Sequence, residues 1–384
     1  MAMLSRADNS TLGRWWWTID RWTLGAVGTL IGVGYIMMLA ASPAVAERLG
    51  QSRDIFILKQ VVFLALAGGV VVGVSLLSPR DVRRLALAGC IAALLLTVLT
   101  LVSGVEIKGA RRWISIPGMT LQPSEFLKPC FAVVAAWLIT EGRRTARSAG
   151  RAANALRLSW GLPAAIGIYL IIAFLLKSQP DIGMLAVVTA VFFLQLYIGG
   201  LPIILVGISA LGLGGAAAGA YLLFPHVQAR VQKYLHPTLE SAYQPTLALE
   251  AFGNGGLLGR GPGEGRVKNQ LPDAHADFVY AVAGEEFGLI LCLLILGIFA
   301  FIVLRGILRL LHEQDPFRTL ACIGLVCGFG LQAFVNMASS LALIPTKGMT
   351  LPFISYGGSS VIAVALGMGM LLALTRRRHH GDPA

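Results

Sequence analysis

Ten stretches of this chain, each about 20 residues long and nearly free of charge, restrict its fold more than any motif does. They centre near Ile31, Leu66, Leu94, Val134, Gly167, Val191, Leu211, Leu294, Gly328 and Leu366. Crossing a bilayer takes roughly 20 apolar residues of helix, so each stretch is a candidate span. With 56% hydrophobic and 13% charged residues in 384, the chain has too few polar side chains to cover a soluble globule. The expected fold is all-α: one polytopic domain over residues 1–384 with ten transmembrane helices. A tail at 1–21, a large loop at 225–277 between helices seven and eight, and a tail at 375–384 complete it.

Basic residues orient the bundle. Arg6, Arg14 and Arg21, then Arg80, Arg83 and Arg84, then Arg143, Arg144 and Arg147, then Arg305, Arg309 and Arg318, and finally Arg376 to Arg378 fall on one side. That side is cytoplasmic and receives both termini. The net charge of +12 is therefore a topology signal first and a hint of anionic lipid second, and it makes nucleic acid a poor partner. Trp15, Trp16 and Trp17 precede the first span as an interfacial anchor. The five cysteines lie within apolar stretches without metal or disulfide spacing, which assigns them to packing.

Two outward segments stand out. Residues 104–124 carry Lys108, Arg111 and Arg112 on the side that should be poor in bases. Residues 225–277 are long enough to be functional or partly structured. Within them Val227, Val231 and Leu235 recur every fourth residue around Arg230 and Lys233, as in a surface helix, and seven glycines between Gly253 and Gly265 suggest flexible backbone.

Charge at the span ends is clustered rather than scattered. Lys59, Glu125, Lys128, Asp181 and Asp277 all fall at the outer ends of helices that run inward. Intramembrane or bordering ionisable groups are costly and usually functional. Each also has a plainer reading. Asp277 can cap its helix, and Glu125 and Lys128, three apart, can neutralise each other. Glu285 and Glu286 would lie about 12 Å beyond Asp277 and about 100° apart, so that one at most faces a given ligand. His275 reads as a polar loop residue before it reads as a ligand. Together, Lys108, Arg111, Arg112 and Lys128 offer donors to a phosphate at the membrane surface, with Asp277 as a base in the same layer, which suits a lipid-linked pyrophosphate.

The runs Lys108-Gly109-Ala110-Arg111-Arg112-Trp113-Ile114 and Gln122-Pro123-Ser124-Glu125-Phe126-Leu127-Lys128 resemble the first outer loop of the SEDS proteins, the FtsW/RodA group of cell-wall polymerases. Gln179-Pro180-Asp181-Ile182-Gly183, Leu271 through Glu286, and Asn336 through Ser360 agree as well, so the likeness runs from helix three to the end. Pro345-Thr346-Lys347-Gly348-Met349-Thr350-Leu351-Pro352 is more similar to the division-type branch than to the elongation-type branch. Thr120 departs from the pattern, since many relatives have arginine there.

The resemblance implies polymerisation of lipid II, an undecaprenyl-pyrophosphate-linked disaccharide peptide, at the outer face of the bacterial cytoplasmic membrane during septal wall synthesis. It also implies a class B penicillin-binding protein of the FtsI type, with other division proteins, as partners. It sets the essential acid on Asp277 and further substrate contacts on Arg112, Gln122, Glu125 and Lys128, with Lys59, Lys108, Arg111, Asp181, His275 and Lys347 as the remaining candidates. Chemistry supports one carboxylate plus a basic cluster for inverting transfer, because the leaving pyrophosphate is already anionic and needs no general acid. A divalent ion, Mg²⁺ or Mn²⁺, is compatible with this; no organic cofactor is called for. A lipid II flippase would require polar groups through both leaflets, whereas here charge stops in the outer half. A non-catalytic scaffold would not need the acid and the bases together.

Overall fold

The computed structural model describes residues 10–48, 52–107, 110–116, 119–148, 160–202, 239–345 and 348–376, with residue 50 and isolated positions between 204 and 232. In chain order these form α1 (Thr11–Thr18), α2 (Arg21–Arg48), α3 (Arg53–Ser75), α4 (Pro79–Ser103), β1 (Val105–Ile107), β2 (Ala110–Ile116), β3 (Met119–Leu121), α5 (Ser124–Ser148), α6 (Gly161–Ser178) and α7 (Ile182–Ile198). After the sparsely described stretch come α8 (Leu239–Gly255), α9 (Val279–Leu310), α10 (Pro316–Ser340) and α11 (Gly358–Leu374). Helices start where local chemistry supplies a cap. Ser78 accepts from the amide of Asp81 ahead of α4, and Asp315 accepts from that of Phe317 ahead of α10, with proline in the first turn of both.

Among the described residues six helices are long and apolar enough to cross a membrane, and α7 and α11 are shorter apolar helices. The span expected around Leu211 and the surface helix at Val227 to Leu235 fall largely outside the described residues. Large apolar side chains such as Leu66, Leu95, Val102 and Phe174 are exposed on the bundle's flank, as a lipid-facing surface requires. α5 is the exception. From Leu127 to Thr140 almost every residue is buried, because α4, α6, α7, α10 and α11 pack around it.

The all-α expectation needs correction in the first outer loop. There β1, β2 and β3 form an antiparallel sheet in that order, with Glu106 opposite Arg111 and Ser115 opposite Thr120. Tryptophan and isoleucine favour pleated backbone in β2, and the bases drew the eye from that signal.

The glycine-rich segment is not loose backbone. The amides of Arg260 and Gly261 donate to the carbonyls of Glu285 and Glu286, both at 3.0 Å, and the amide of Leu289 donates to Gly256 at 3.0 Å. α9 accordingly does not run on as one rod. It breaks at Gly288 (φ 77°, ψ −174°), a conformation open essentially to glycine alone. A Cβ there would lie 2.3 Å from the carbonyl oxygen of Leu257. The break separates a buried outer segment, Val279–Phe287, from the lipid-facing rod below.

Glu285 and Glu286 are therefore not a deeper layer of substrate-facing acids. Glu285 accepts from the amides of Arg266 (2.9 Å) and Val267 (3.0 Å); Glu286 accepts from that of Gly263 (2.8 Å) and pairs with Lys268. Lys268 also donates to Ala40 of α2 at 3.0 Å, and Arg48 reaches the carbonyl of Leu271 at 2.6 Å. Two carboxylates and one lysine thus clamp the segment that leads into Asp277.

At the end of the bundle opposite Asp277, Trp15 is buried and donates to Ser75 at 2.8 Å, which fastens α1 to the end of α3. Asp20 accepts from Arg305 through Nε (2.8 Å) and Nη2 (2.8 Å), and lies 3.1 Å from Arg309. Burial pushes the Asp20 carboxyl up, but hydrogen bonds from Arg305 and Thr23 and the two guanidinium charges outweigh it, leaving the pKa below the usual carboxylate value.

Candidate active site

The N-terminal ends of α5, α7 and α11 and the C-terminal end of α10 converge with two irregular segments, Leu271–Phe278 and Met349–Tyr356. Asp277 is half-buried in the first of these. The N-cap of α9 is Phe278, so Asp277 stands one residue ahead of the cap position. Its own backbone is fixed: the amide donates to Asp273 at 3.0 Å, and the carbonyl accepts from Asn336 of α10 at 2.9 Å. Asn336 is fully buried and holds Met349 by a second bond of 2.6 Å. Gly348 borders the carboxylate, since a Cβ there would sit 3.6 Å from Asp277 Oδ2.

Ser355 and Tyr356 brace the same turn. Ser355 donates to the carbonyl of Ala276 at 2.5 Å, and the amide of Tyr356 donates to that of His275 at 2.9 Å. The ring of His275 is buried between Phe56 and Tyr356, with centroids 5.7 and 5.0 Å away. Its place is thus an aromatic wedge behind Asp277 rather than an open loop.

One turn before Asn336, Gln332 begins a second network. Lys128 lies 2.6 Å from Glu125 and donates to Gln332 at 2.7 Å; Gln332 in turn donates to the carbonyl of Thr350 at 3.0 Å. Ser360 donates to Glu125 at 3.2 Å and meets Thr350 at 2.6 Å. The plainer reading of Glu125 and Lys128 therefore holds as far as charge goes: they neutralise each other. Below them a small cavity of about 50 Å³ lies between α5, α7, α10 and α11, lined by Ala132, Val188, Gly328, Phe329 and Met368. The polar network closes its outer end.

Arg112 belongs to a third group. It donates to the carbonyls of Gln179 (2.7 Å) and Pro180 (2.6 Å) and lies 3.4 Å from Asp181. Asp181 caps α7 through the amide of Met184 at 3.2 Å, and Gln122 reaches it at 3.4 Å. Burial pushes the Asp181 carboxyl above the usual range despite Arg112. Arg112 thus anchors the turn between α6 and α7. Replacing it with alanine is expected to destabilise the fold by about 1–3 kcal/mol, because the carbonyls of Gln179 and Pro180 lose a charged donor and Asp181 loses its cation. Thermal unfolding in detergent, compared with Arg112→Lys, checks this.

The other candidates divide. Arg111 pairs with Glu106 at 3.3 Å on the exposed face of the sheet. Lys59 is exposed on α3 and has no partner among the described residues. Neither joins the networks around Asp277. Lys108 and Lys347 lie outside the described residues. Among the described residues, no three His, Cys, Asp or Glu side chains gather as a metal cage. Sequence reading passed over Gln332, Asn336, Thr350 and Ser360 as site residues. Its available signal was two amides four residues apart on one face of an otherwise apolar helix.

The family model described as "Cell cycle protein" and labelled FTSW_RODA_SPOVE matches residues 21–380. "Probable peptidoglycan glycosyltransferase FtsW" of Caulobacter vibrioides is 43% identical over 379 residues, covering 97% of this chain and 93% of that protein. Its namesake in Geobacter metallireducens is 35% identical, covering 90% and 91%. A chain of the structure described as "Structural coordination of polymerization and crosslinking by a peptidoglycan synthase complex" superposes with a TM-score of 0.74 at 28% identity, covering 93% of this chain and 97% of that one. The crystal structure of the rod shape determining protein RodA from Thermus thermophilus gives 0.64 at 26%, covering 94% and 97%.

Proposed function

Since the chain belongs to the FtsW, RodA and SpoVE family of cell cycle proteins, we propose that Asp277 is the general base with which this peptidoglycan glycosyltransferase extends glycan strands from lipid II. A sugar hydroxyl of the acceptor gives its proton to the Asp277 carboxylate. The freed oxygen attacks the anomeric carbon of the donor, whose bond to the pyrophosphate breaks with inversion. The leaving group carries its electron pair away as an anion already stabilised by its phosphates. Lys128 is the proposed cation nearest its path, held by Glu125 and Gln332. A divalent ion, Mg²⁺ or Mn²⁺, enters this reading only as a companion of the substrate's own phosphate oxygens.

The observation that carries the reading is the immobilisation of the Asp277 turn. A base whose backbone is fixed before the substrate arrives, with Asn336 on Asp277 itself and Ser355 and Tyr356 on the two residues ahead of it, suits positional catalysis. Purified chain incubated with lipid II and its partner is expected to yield glycan strands, and a folded, partnered preparation that makes none would sink the proposal.

The partner is proposed to be a class B penicillin-binding protein, and the place of action the division septum of a bacterium's inner membrane. The segment clamped by Glu285, Glu286 and Lys268 leads into Asp277, so a protein docked on the outer face can shift the base. A shift of about 1 Å can change rate about 10²-fold. Low polymerisation by the isolated chain and a clear rise on adding the cognate partner are expected in a strand-length assay. Equal turnover in a verified complex would remove the coupling.

A further inference from the structure

On the cytoplasmic half of the bundle, far from Asp277, α2 and α9 pack side by side and leave a slot on their lipid-facing side. Gly25, Ala26 and Thr29 line it from α2; Leu293, Gly297 and Phe301 line it from α9. The slot measures about 540 Å³ and is apolar except for Arg21 at one end and the Thr29 hydroxyl. Gly25 and Gly297 form its floor, and an added Cβ on either would meet no atom within 4 Å. At the Arg21 end it continues, through Arg21 and Trp22, into a second hollow of about 340 Å³ shared by Trp17, Asp20, Arg305 and Arg309.

Three arginines at this corner face the single carboxylate of Asp20, which leaves it net positive. Arg21 is exposed, with its Nε on the carbonyl of Trp16 at 3.0 Å and its guanidinium 4.4 Å from the Trp17 ring. Its two terminal nitrogens, like Nη1 of Arg305, have no hydrogen-bond partner among the described residues. Trp22 is 71% exposed beside them, in the place where tryptophan favours the interface. Depth matches too. From Arg21 to Thr29 is about 12 Å of helix, and from Arg305 to Leu293 about 18 Å. One leaflet of a core about 30 Å thick is about 15 Å deep.

We propose that this corner seats one anionic phospholipid of the cytoplasmic leaflet, its phosphate at Arg21 and Arg305 and an acyl chain in the slot over Gly25 and Gly297. A partner's transmembrane helix would call for a groove through both leaflets and no cationic cap. The lipid reading accounts for the cap, the one-leaflet length and the missing side chains on the floor together.

Native mass spectrometry of the full chain, equilibrated in detergent with equal amounts of phosphatidylglycerol and phosphatidylcholine, tests it. One phosphatidylglycerol is expected to be retained in preference. Arg21→Gln should lower that preference about fivefold, the equivalent of about 1 kcal/mol for one arginine at an anionic surface, and leave phosphatidylcholine unchanged. Gly297→Leu, which fills open space, should reduce retention of both lipids, and Gly25→Leu repeats the test if the first variant unfolds early. Excess inorganic phosphate should not displace the lipid. Equal retention of the two lipids, indifference to both kinds of variant, or displacement by phosphate would overturn the site. So would a disulfide from Thr29→Cys to another protein chain in membranes, which would give the slot to a helix instead.

Discussion

Asparagine in place of Asp277 is expected to lower lipid II polymerisation by about 10²- to 10⁴-fold, the usual contribution of a general base, while the protein stays folded. The amide keeps the side chain's shape and cannot take the acceptor's proton. Folding should survive because the contacts that lock this turn run through backbone: the carbonyl of Asp277 to Asn336, and those of Ala276 and His275 to Ser355 and Tyr356. The measurement is single-turnover strand formation with the cognate partner present, beside a thermal unfolding curve. Near-normal turnover in well-folded Asp277→Asn protein would reduce the residue to a structural role. A companion, Asn336→Ala, separates position from chemistry, since it leaves the carboxylate and frees the turn. It should slow the reaction without shifting the pH at which half the activity is lost.

Lys268→Ala carries the second large effect, this time on stability. Lys268 and Glu286 are both buried, and removing one member of such a pair strands a charge at a cost of about 3–5 kcal/mol. Lys268 is also a donor to Ala40 and Gly263, so its loss detaches the glycine-rich segment from α2 as well. The unfolding midpoint should fall, and proteolysis between Gly255 and Gly265 should quicken before the rest of the bundle opens. Lys268→Met combined with Glu286→Gln should recover much of the loss, because a neutral pair of similar volume leaves no stranded charge. If the double variant is no better than Lys268→Ala, the ion pair is not what holds the segment.

Composition made the membrane bundle legible, because lipid leaves a chain few alternatives, and the candidate acids were legible because charge is scarce in such a chain. What each acid touches was not. Asp277, Glu285 and Glu286 look alike as carboxylates at one end of an apolar stretch, yet two of them serve backbone amides of a loop that precedes them by about 20 residues. Nothing local announces such a pairing. The break at Gly288 was hidden for a related reason: glycine is common in spans, and only the approach of Leu257 shows why this one is needed. The sheet at Ala110–Ile116 was masked by its arginines, of which Arg112 turned out to hold the turn at Gln179 and Pro180. Gln332 and Asn336 were visible but uncharged, so they drew less attention than the ions they organise.

The interruption of α9 also bears on what sets the position of Asp277. Below Gly288 the rod from Leu289 to Leu310 is roughly 33 Å long, close to a bilayer core of about 30 Å. Above it, the segment that carries Asp277 is fastened to α2 and α10 instead of standing as a stiff extension of that rod. At the break the amides of Leu289 and Ile290 donate to Gly256 and Leu257 at 3.0 and 3.4 Å, so the top of the rod is tied to the segment that Lys268 fastens to α2. The direction of the spanning rod and the placing of Asp277 are thereby set by different contacts within one continuous stretch of polypeptide.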